Sequence, residues 1–167
     1  MIAVFPGSFD PVTLGHLDIL KRGSQLFDEI IVAVLNNPNK TPLFTMQERI
    51  NMLQAVTVNI PNVSIETYSG LLAAFAKKRG AKFILRGVRS EVDFAYEVPM
   101  AQANKQLMDE LETILLITDP AYAYVSAGLI REIAAAGYVA SDIDFDDKVL
   151  DQWVSPAVKH MLKNKYM

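Results

Sequence analysis

The chain opens Ile2-Ala3-Val4-Phe5-Pro6-Gly7-Ser8-Phe9-Asp10-Pro11-Val12-Thr13-Leu14-Gly15-His16. Ile2–Phe5 is an unbroken apolar run closed by Pro6-Gly7, the pattern of a buried strand ending in a turn. Gly15 to Phe27 then sets Leu17, Leu20 and Phe27 on one side of a helix. The same alternation recurs downstream. Ile30–Leu35 is a second buried strand, cut off by Asn36-Asn37-Pro38-Asn39. Thr45 followed three residues later by Glu48 is a capping box for a helix carrying Ile50, Leu53 and Val56. Val63–Thr67, Phe83–Leu85 and Thr113–Ile117 read as further strands. Leu71–Lys78, Val92–Leu107 and Ser126–Ala136 read as helices, with Gly80 and Gly137 as stops. Five strands alternating with helices predict an α/β fold, an open, mostly parallel five-stranded sheet with helices on both faces. Such sheets bind ligands at the carboxyl ends of their strands, where the strand order reverses. The strand-to-helix loops are therefore where chemistry is expected.

At 167 residues the chain reads as a single domain, 1–167, in which 138–167 form a C-terminal helical extension. In that extension Asp142, Asp144, Asp146 and Asp147 form an acidic patch ahead of the apolar-periodic stretch Trp153–Leu162. The patch lacks the Gly and terminal Glu spacing of a calcium loop, so a solvated surface segment is expected. Trp153 is expected to anchor the tail to the core. Hydrophobic residues make up 51% and charged residues 21% of the chain, ordinary globular usage. The absence of cysteine excludes a disulfide scaffold, a thiolate nucleophile, a Cys-based zinc site and Cys-ligated iron–sulfur clusters. A net charge of −3 argues against non-specific nucleic-acid binding, which needs a basic surface. No apolar stretch is long enough for a membrane span and no basic leader is visible, so a cytoplasmic location is expected.

The first loop matches neither a Walker A phosphate loop nor a G-x-G-x-x-G dinucleotide loop. It offers glycines for close backbone approach, a hydroxyl at Ser8, and His16 at a helix start, where dipole and amides favour a phosphate. Histidine there can hydrogen-bond phosphate oxygens without carrying a permanent charge. Taken alone His16 would more often be a satisfied structural histidine; in this loop those odds reverse. Arg86 and Arg89, three apart beside Gly87, suit phosphate because the guanidinium fork makes bidentate contacts. Surface ion pairs with Glu91 or Asp93 are the alternative. Lys40 alone is a loop lysine, and Glu97 an exposed helix glutamate.

Gly7-Ser8-Phe9-Asp10-Pro11 with Thr13-Leu14-Gly15-His16 resembles the T/H-x-G-H signature of α/β nucleotidyltransferases, which implies a Rossmann-like fold. Further landmarks follow in order: Asn37-Pro38-Asn39-Lys40, Phe44-Thr45-Met46-Gln47-Glu48-Arg49, Arg86-Gly87-Val88-Arg89, Asp93-Phe94-Ala95-Tyr96-Glu97 and Asn104. Together, over roughly residues 1–137, they resemble the bacterial phosphopantetheine adenylyltransferases. That family makes dephospho-coenzyme A and pyrophosphate from ATP and 4′-phosphopantetheine. The resemblance implies His16 as transition-state stabiliser, helped by Lys40 and Arg89. It implies Ser8, Lys40, Leu72 and Arg86 on phosphopantetheine, with apolar residues such as Met100 lining its groove. On ATP it implies Ser8, Phe9, His16, Gly87, Val88, Arg89, Glu97, Tyr122, Ala123, Tyr124, Val125, Ser126, Ala127 and Gly128. ATP chemistry adds magnesium on the triphosphate, held mostly by phosphates and water with no protein ligand named; the resemblance further implies a homohexamer, in a family that coenzyme A can inhibit.

Two departures stand out. Val125-Ser126-Ala127-Gly128 replaces the family's I-S-S-S or I-S-[ST]-T, so two hydroxyls are lost while the backbone amides remain. Leu14 stands where Asn is more frequent. The competing readings are another nucleotidyltransferase of the same fold, for nicotinate mononucleotide or a cytidylyl transfer, and a non-catalytic nucleotide- or coenzyme A-binding regulator.

Overall fold

Successive strand residues point to opposite faces of a sheet, and the apolar runs of this chain are buried on both faces. A computed structural model describes residues 1–36, 41–139 and 145–167. Its strands are β1 (Ile2–Gly7), β2 (Glu29–Leu35), β3 (Val63–Tyr68), β4 (Phe83–Val88) and β5 (Glu112–Ile117). All pair in parallel, in the order β3-β2-β1-β4-β5. The helices are α1 (Leu14–Gly23), α2 (Met46–Thr57), α3 (Leu72–Lys78), α4 (Glu91–Leu107), α5 (Ala127–Val139) and α6 (Pro156–Tyr166). On one face Ala3, Phe5, Ile30, Val32, Val34 and Leu85 meet buried residues of α1, α2, α5 and α6. On the other, Val4, Ala33 and Ile84 meet Ala73 and Ala76 of α3. The expected sheet is therefore present, wholly rather than mostly parallel. Among the described residues no helix is long and apolar enough to cross a membrane.

The elements depart from the expected bounds in instructive places. Helix α1 ends at Gly23, and Phe27 reaches the same core from the following turn. Strand β4 continues past Leu85 through Arg86, Gly87 and Val88, paired with β5 throughout, so Arg86 is a strand residue and not a loop residue. Gly137 does not stop α5, which runs to Val139. A Cβ at Gly137 would collide with the ring of Phe145, so this glycine makes room for the tail.

The tail is more built-in than its acidity suggests. Leu150, Val154, Val158 and Leu162 are fully buried in the first core, with Trp153 packed against it as a half-buried neighbour. Asp147 and Asp151 both bind Lys159 at 2.9 Å. Asp147 also accepts from the Tyr138 hydroxyl at 3.2 Å, and Asp146 caps the turn that follows. Asp146 and Asp147 are thus structural partners and not a solvated run; Asp142 and Asp144 lie outside the described residues.

Candidate active site

The strand order reverses between β1 and β4: from β1 the chain proceeds to β2 and β3, from β4 to β5 on the opposite side. That crevice is the expected ligand position in a parallel sheet, and two clefts meet there. The larger, of 720 Å³, is lined in part by Leu71, Leu72, Tyr96, Met100 and Leu107. The smaller, of 280 Å³, is lined by His16, Gly87, Arg89, Val125, Ser126 and Ala127 among others. Pro6, Gly7, Ser8, Arg86 and Glu97 belong to both.

His16 is held by a capping box at the start of α1. The Thr13 hydroxyl accepts from the His16 amide at 3.2 Å, and the Thr13 amide donates to His16 Nδ1 at 3.0 Å. The imidazole takes the place of the Glu or Gln usual in this motif. Because Nδ1 accepts, the neutral ring carries its proton on Nε2. The ring packs edge-on against Phe9, 5.2 Å between centroids. Burial lowers its pKa from 6.5 to about 4, with the charges of Arg86 and Arg89 pushing the same way. At neutral pH it offers a phosphate an N–H and no positive charge. The helix start is also less open to anions than expected: the Leu14 amide donates to the Trp153 carbonyl and the Leu17 amide to Thr13. Among the described residues only the Gly15 amide of this turn lacks an acceptor.

The depressed pKa has a thermodynamic consequence. Between pH 6.5 and 4 the unfolded chain binds a proton on His16 that the folded protein refuses. Stability is therefore expected to fall as pH drops through that window, by about 3 kcal/mol from this group, and to be unaffected by it above. Denaturant melts of the parent and of His16→Gln across this range measure the difference directly; superimposable pH curves would contradict the neutral, partly buried ring.

Phe9 has φ 48°, a left-handed conformation that costs a non-glycine residue about 1–3 kcal/mol and gathers at functional sites. The residue is only 2% exposed and stands behind the wall of the smaller cleft, packed against the His16 ring. Ser8 is exposed at the wall common to both clefts.

Both arginines are held by carboxylates. Arg89 makes a two-pronged pair with Asp93 (2.9 and 3.1 Å) and donates to the Val125 carbonyl at 2.8 Å. The Arg89 side chain holds the Asp93 carboxyl below the usual range. Arg86 donates to the Pro6 carbonyl at 2.6 Å and grips Glu97 through Nε, at 2.9 Å, and Nη2. Glu97 is thus no exposed glutamate but 7% exposed. The ion-pair alternative is realised for Arg89 with Asp93, whereas Arg86 pairs with neither Glu91 nor Asp93. Neither pairing removes the guanidinium from the clefts: both arginines still line them.

At the start of α5 the Ser126 hydroxyl oxygen accepts from the Leu129 amide at 3.0 Å, which leaves its proton free to donate. Val88, Tyr122, Ala123, Tyr124 and Gly128 line neither cleft. Val88 is buried in β4, Tyr124 is 68% exposed, and Tyr122 backs Gly15, where a Cβ would stand 3.3 Å from its own. Lys40 and its neighbours Asn37, Pro38 and Asn39 lie outside the described residues; the flanking Asn36 and Thr41 line the larger cleft.

Sequence reasoning missed three residues that build the site. Asp10 is buried and accepts from the Leu43 and Phe44 amides, both at 2.9 Å, which ties the first loop to the second. Arg131 reaches the Asp10 carboxylate at 3.4 Å and also donates to its carbonyl. Arg49, 4% exposed, donates to the carbonyls of Ser8 (2.9 Å) and Leu35 (3.2 Å), joining the ends of β1 and β2. A signal for Arg49 existed: it occupies the helical stripe of Met52, Leu53 and Val56, where a charged residue needs a partner.

A family model described as cytidylyltransferase-like matches residues 4–133. A phosphopantetheine adenylyltransferase of Caldanaerobacter subterraneus subsp. tengcongensis is 53% identical over 84% of this chain and 88% of its own. One from Heliobacterium modesticaldum is 45% identical over 99% of this chain and 92% of its own. This chain belongs to the phosphopantetheine adenylyltransferase family. The fold is shared more widely. A Plasmodium falciparum nicotinic acid mononucleotide adenylyltransferase complexed with NaAD superposes with a TM-score of 0.70 at 14% identity, covering 99% of this chain and 95% of that one.

Among the described residues no three acidic, histidine or cysteine side chains cluster to hold an ion, and the carboxylates nearest the clefts are engaged by arginines. The Ala127-Gly128 departure removes side-chain donors but keeps the helix start. A Cβ at Gly128 would find no atom closer than the Ser126 hydroxyl at 3.8 Å, so the missing side chain has room.

Proposed function

We propose that the protein transfers the adenylyl group of ATP to the phosphate of 4′-phosphopantetheine, giving dephospho-coenzyme A and pyrophosphate. The observation that carries this is the shared wall. An apolar cleft suited to a long, largely uncharged chain and a smaller polar cleft meet at Ser8 and Arg86. Two substrates seated in them present their phosphates to each other at that wall.

The acceptor phosphate has a second pKa of about 6 and is largely dianionic at neutral pH, so it attacks without a base. One of its oxygens bonds to the α-phosphorus as the bond to the bridging oxygen of pyrophosphate breaks. The protein's task is positioning and charge stabilisation. In this reading His16 donates its Nε2–H to an oxygen of the α-phosphoryl group. Arg86 turns toward the acceptor phosphate, aided by Lys40, while Arg89 and the α5 amides hold the triphosphate. Leu72 and Met100 line the pantetheine arm. Magnesium arrives as part of the MgATP substrate, held by phosphates and water. Homohexamer assembly in the cytoplasm, and feedback by coenzyme A, extend the same proposal.

The test is pyrophosphate release with magnesium, ATP and 4′-phosphopantetheine, against CTP and nicotinate mononucleotide as parallel substrates. Turnover confined to the ATP–phosphopantetheine pair is expected. Turnover with a parallel substrate, or none at all beside measurable nucleotide binding, overturns the proposal. Because the Gly128 site is open, Ala127→Ser with Gly128→Ser is expected to lower the KM for ATP about tenfold, one charge-assisted hydrogen bond's worth. An unchanged KM would mean that the α5 amides alone suffice.

A further inference from the structure

We infer that the C-terminal segment 145–167 is a brace for the reacting end of α1, with the main-chain carbonyl of Trp153 acting as a positioning group for His16. The inference rests on the proposed role of His16. A helix begins with amides that have no partner inside it. Thr13 satisfies the His16 amide locally, but a local cap cannot fix where the helix end stands relative to the sheet. The Leu14 amide, two residues before His16, donates to the Trp153 carbonyl at 2.7 Å. That bond joins α1 to a segment remote in sequence.

Trp153 is itself well seated. Its amide and that of Val154 both donate to the Leu150 carbonyl at 2.9 Å, and Leu150 and Val154 are buried. Within the segment, Lys159 of α6 pairs with both Asp147 and Asp151. Past Trp153 the same segment reaches two more elements of the site. Lys165 pairs with Glu48 in the capping box of α2, and the Tyr166 hydroxyl donates to the Arg131 carbonyl at 3.4 Å. One segment thus touches the helices that bear His16, Arg49 and Arg131. Trp153, expected from the sequence to anchor the tail to the core, has a further role here.

The bond can be removed almost alone. Leu14 is the first residue of α1, where proline is well tolerated, and Thr13 before it is extended (φ −115°, ψ 166°), as a residue preceding proline should be. Leu14→Pro therefore deletes the donor and keeps the helix, while Leu14→Ala deletes the side chain and keeps the donor. Two readouts are taken. One is kcat and KM for both substrates; the other is the NMR titration of the His16 ring, one of only two histidines in the chain.

Leu14→Pro is expected to lose at least about tenfold in kcat, with both KM values within threefold of the parent. Its His16 titration midpoint should rise by about half a pH unit as the ring loosens toward solvent. Leu14→Ala should match the parent in both. Equal behaviour of the two variants overturns the brace. If Leu14→Pro does not fold, Val154→Ala loosens the seat of Trp153 from outside α1, and an unmoved His16 titration there overturns it as well. The titration needs no turnover, so an inactive parent would refute the proposed reaction while leaving the brace open to measurement.

Discussion

His16→Ala is expected to lower kcat by about 10²–10³ while both KM values stay within a few-fold of the parent, the cost of losing one preorganised donor to the reacting phosphoryl group. The substitution also removes the acceptor for the Thr13 amide, so a cap worth about 1 kcal/mol goes with it. His16→Gln separates the two effects. Glutamine is a natural third residue in a capping box, and its side-chain carbonyl can take the Thr13 amide. With that oxygen committed to Thr13, its amide nitrogen lies closer to the backbone than the histidine Nε2. The glutamine variant should melt like the parent at neutral pH and turn over like the alanine variant. Turnover within a few-fold of the parent in either variant would remove His16 from the chemistry.

The second large effect concerns Arg86. Arg86→Ala leaves Glu97, 7% exposed, without its cation, and breaking a buried pair from one side costs about 3–5 kcal/mol. For a chain of this length that is on the order of a 10 °C drop in melting temperature. Combining Arg86→Ala with Glu97→Gln removes the stranded charge and should recover most of the loss. Affinity for 4′-phosphopantetheine should stay low in both, because the guanidinium at the shared wall is gone. A single variant within 1 kcal/mol of the parent in denaturant melts would refute the buried pair. Recovery of acceptor affinity in the double variant would refute the phosphate role.

What could be read in the sequence was local. Apolar runs of strand length, helical stripes, the Thr45–Glu48 box and the Pro6–His16 loop each carry their information within a few residues. Together they placed all five strands and pointed to the strand-to-helix loops; the strand order, and with it the crevice between β1 and β4, came from the structure. What could not be read depends on partners distant in sequence. Arg86-Gly87 looks like the end of a strand, yet β5 pairs beyond it and Glu97 receives the arginine from inside α4. Gly137 looks like a helix stop, and only the ring of Phe145 explains a glycine inside a helix. The stripe of α2 marks Arg49 as needing a partner, but only the structure shows that the partners are the carbonyls of Ser8 and Leu35. The loop chemistry was visible; the supports under it were not.

The hydrogen bond from the Thr13 amide to Nδ1 reaches beyond geometry. A ring whose basic nitrogen is already occupied, and whose pKa stands at about 4, has no titration left to perform in the neutral range. Between pH 5 and 8 the ionisations left to the proposed reaction therefore lie in its phosphates, the incoming one with a pKa of about 6, and not in His16. Acid sensitivity has been exported from the catalyst to its reactant: the rate would follow the charge state of what is delivered to the crevice, while the crevice itself stays the same.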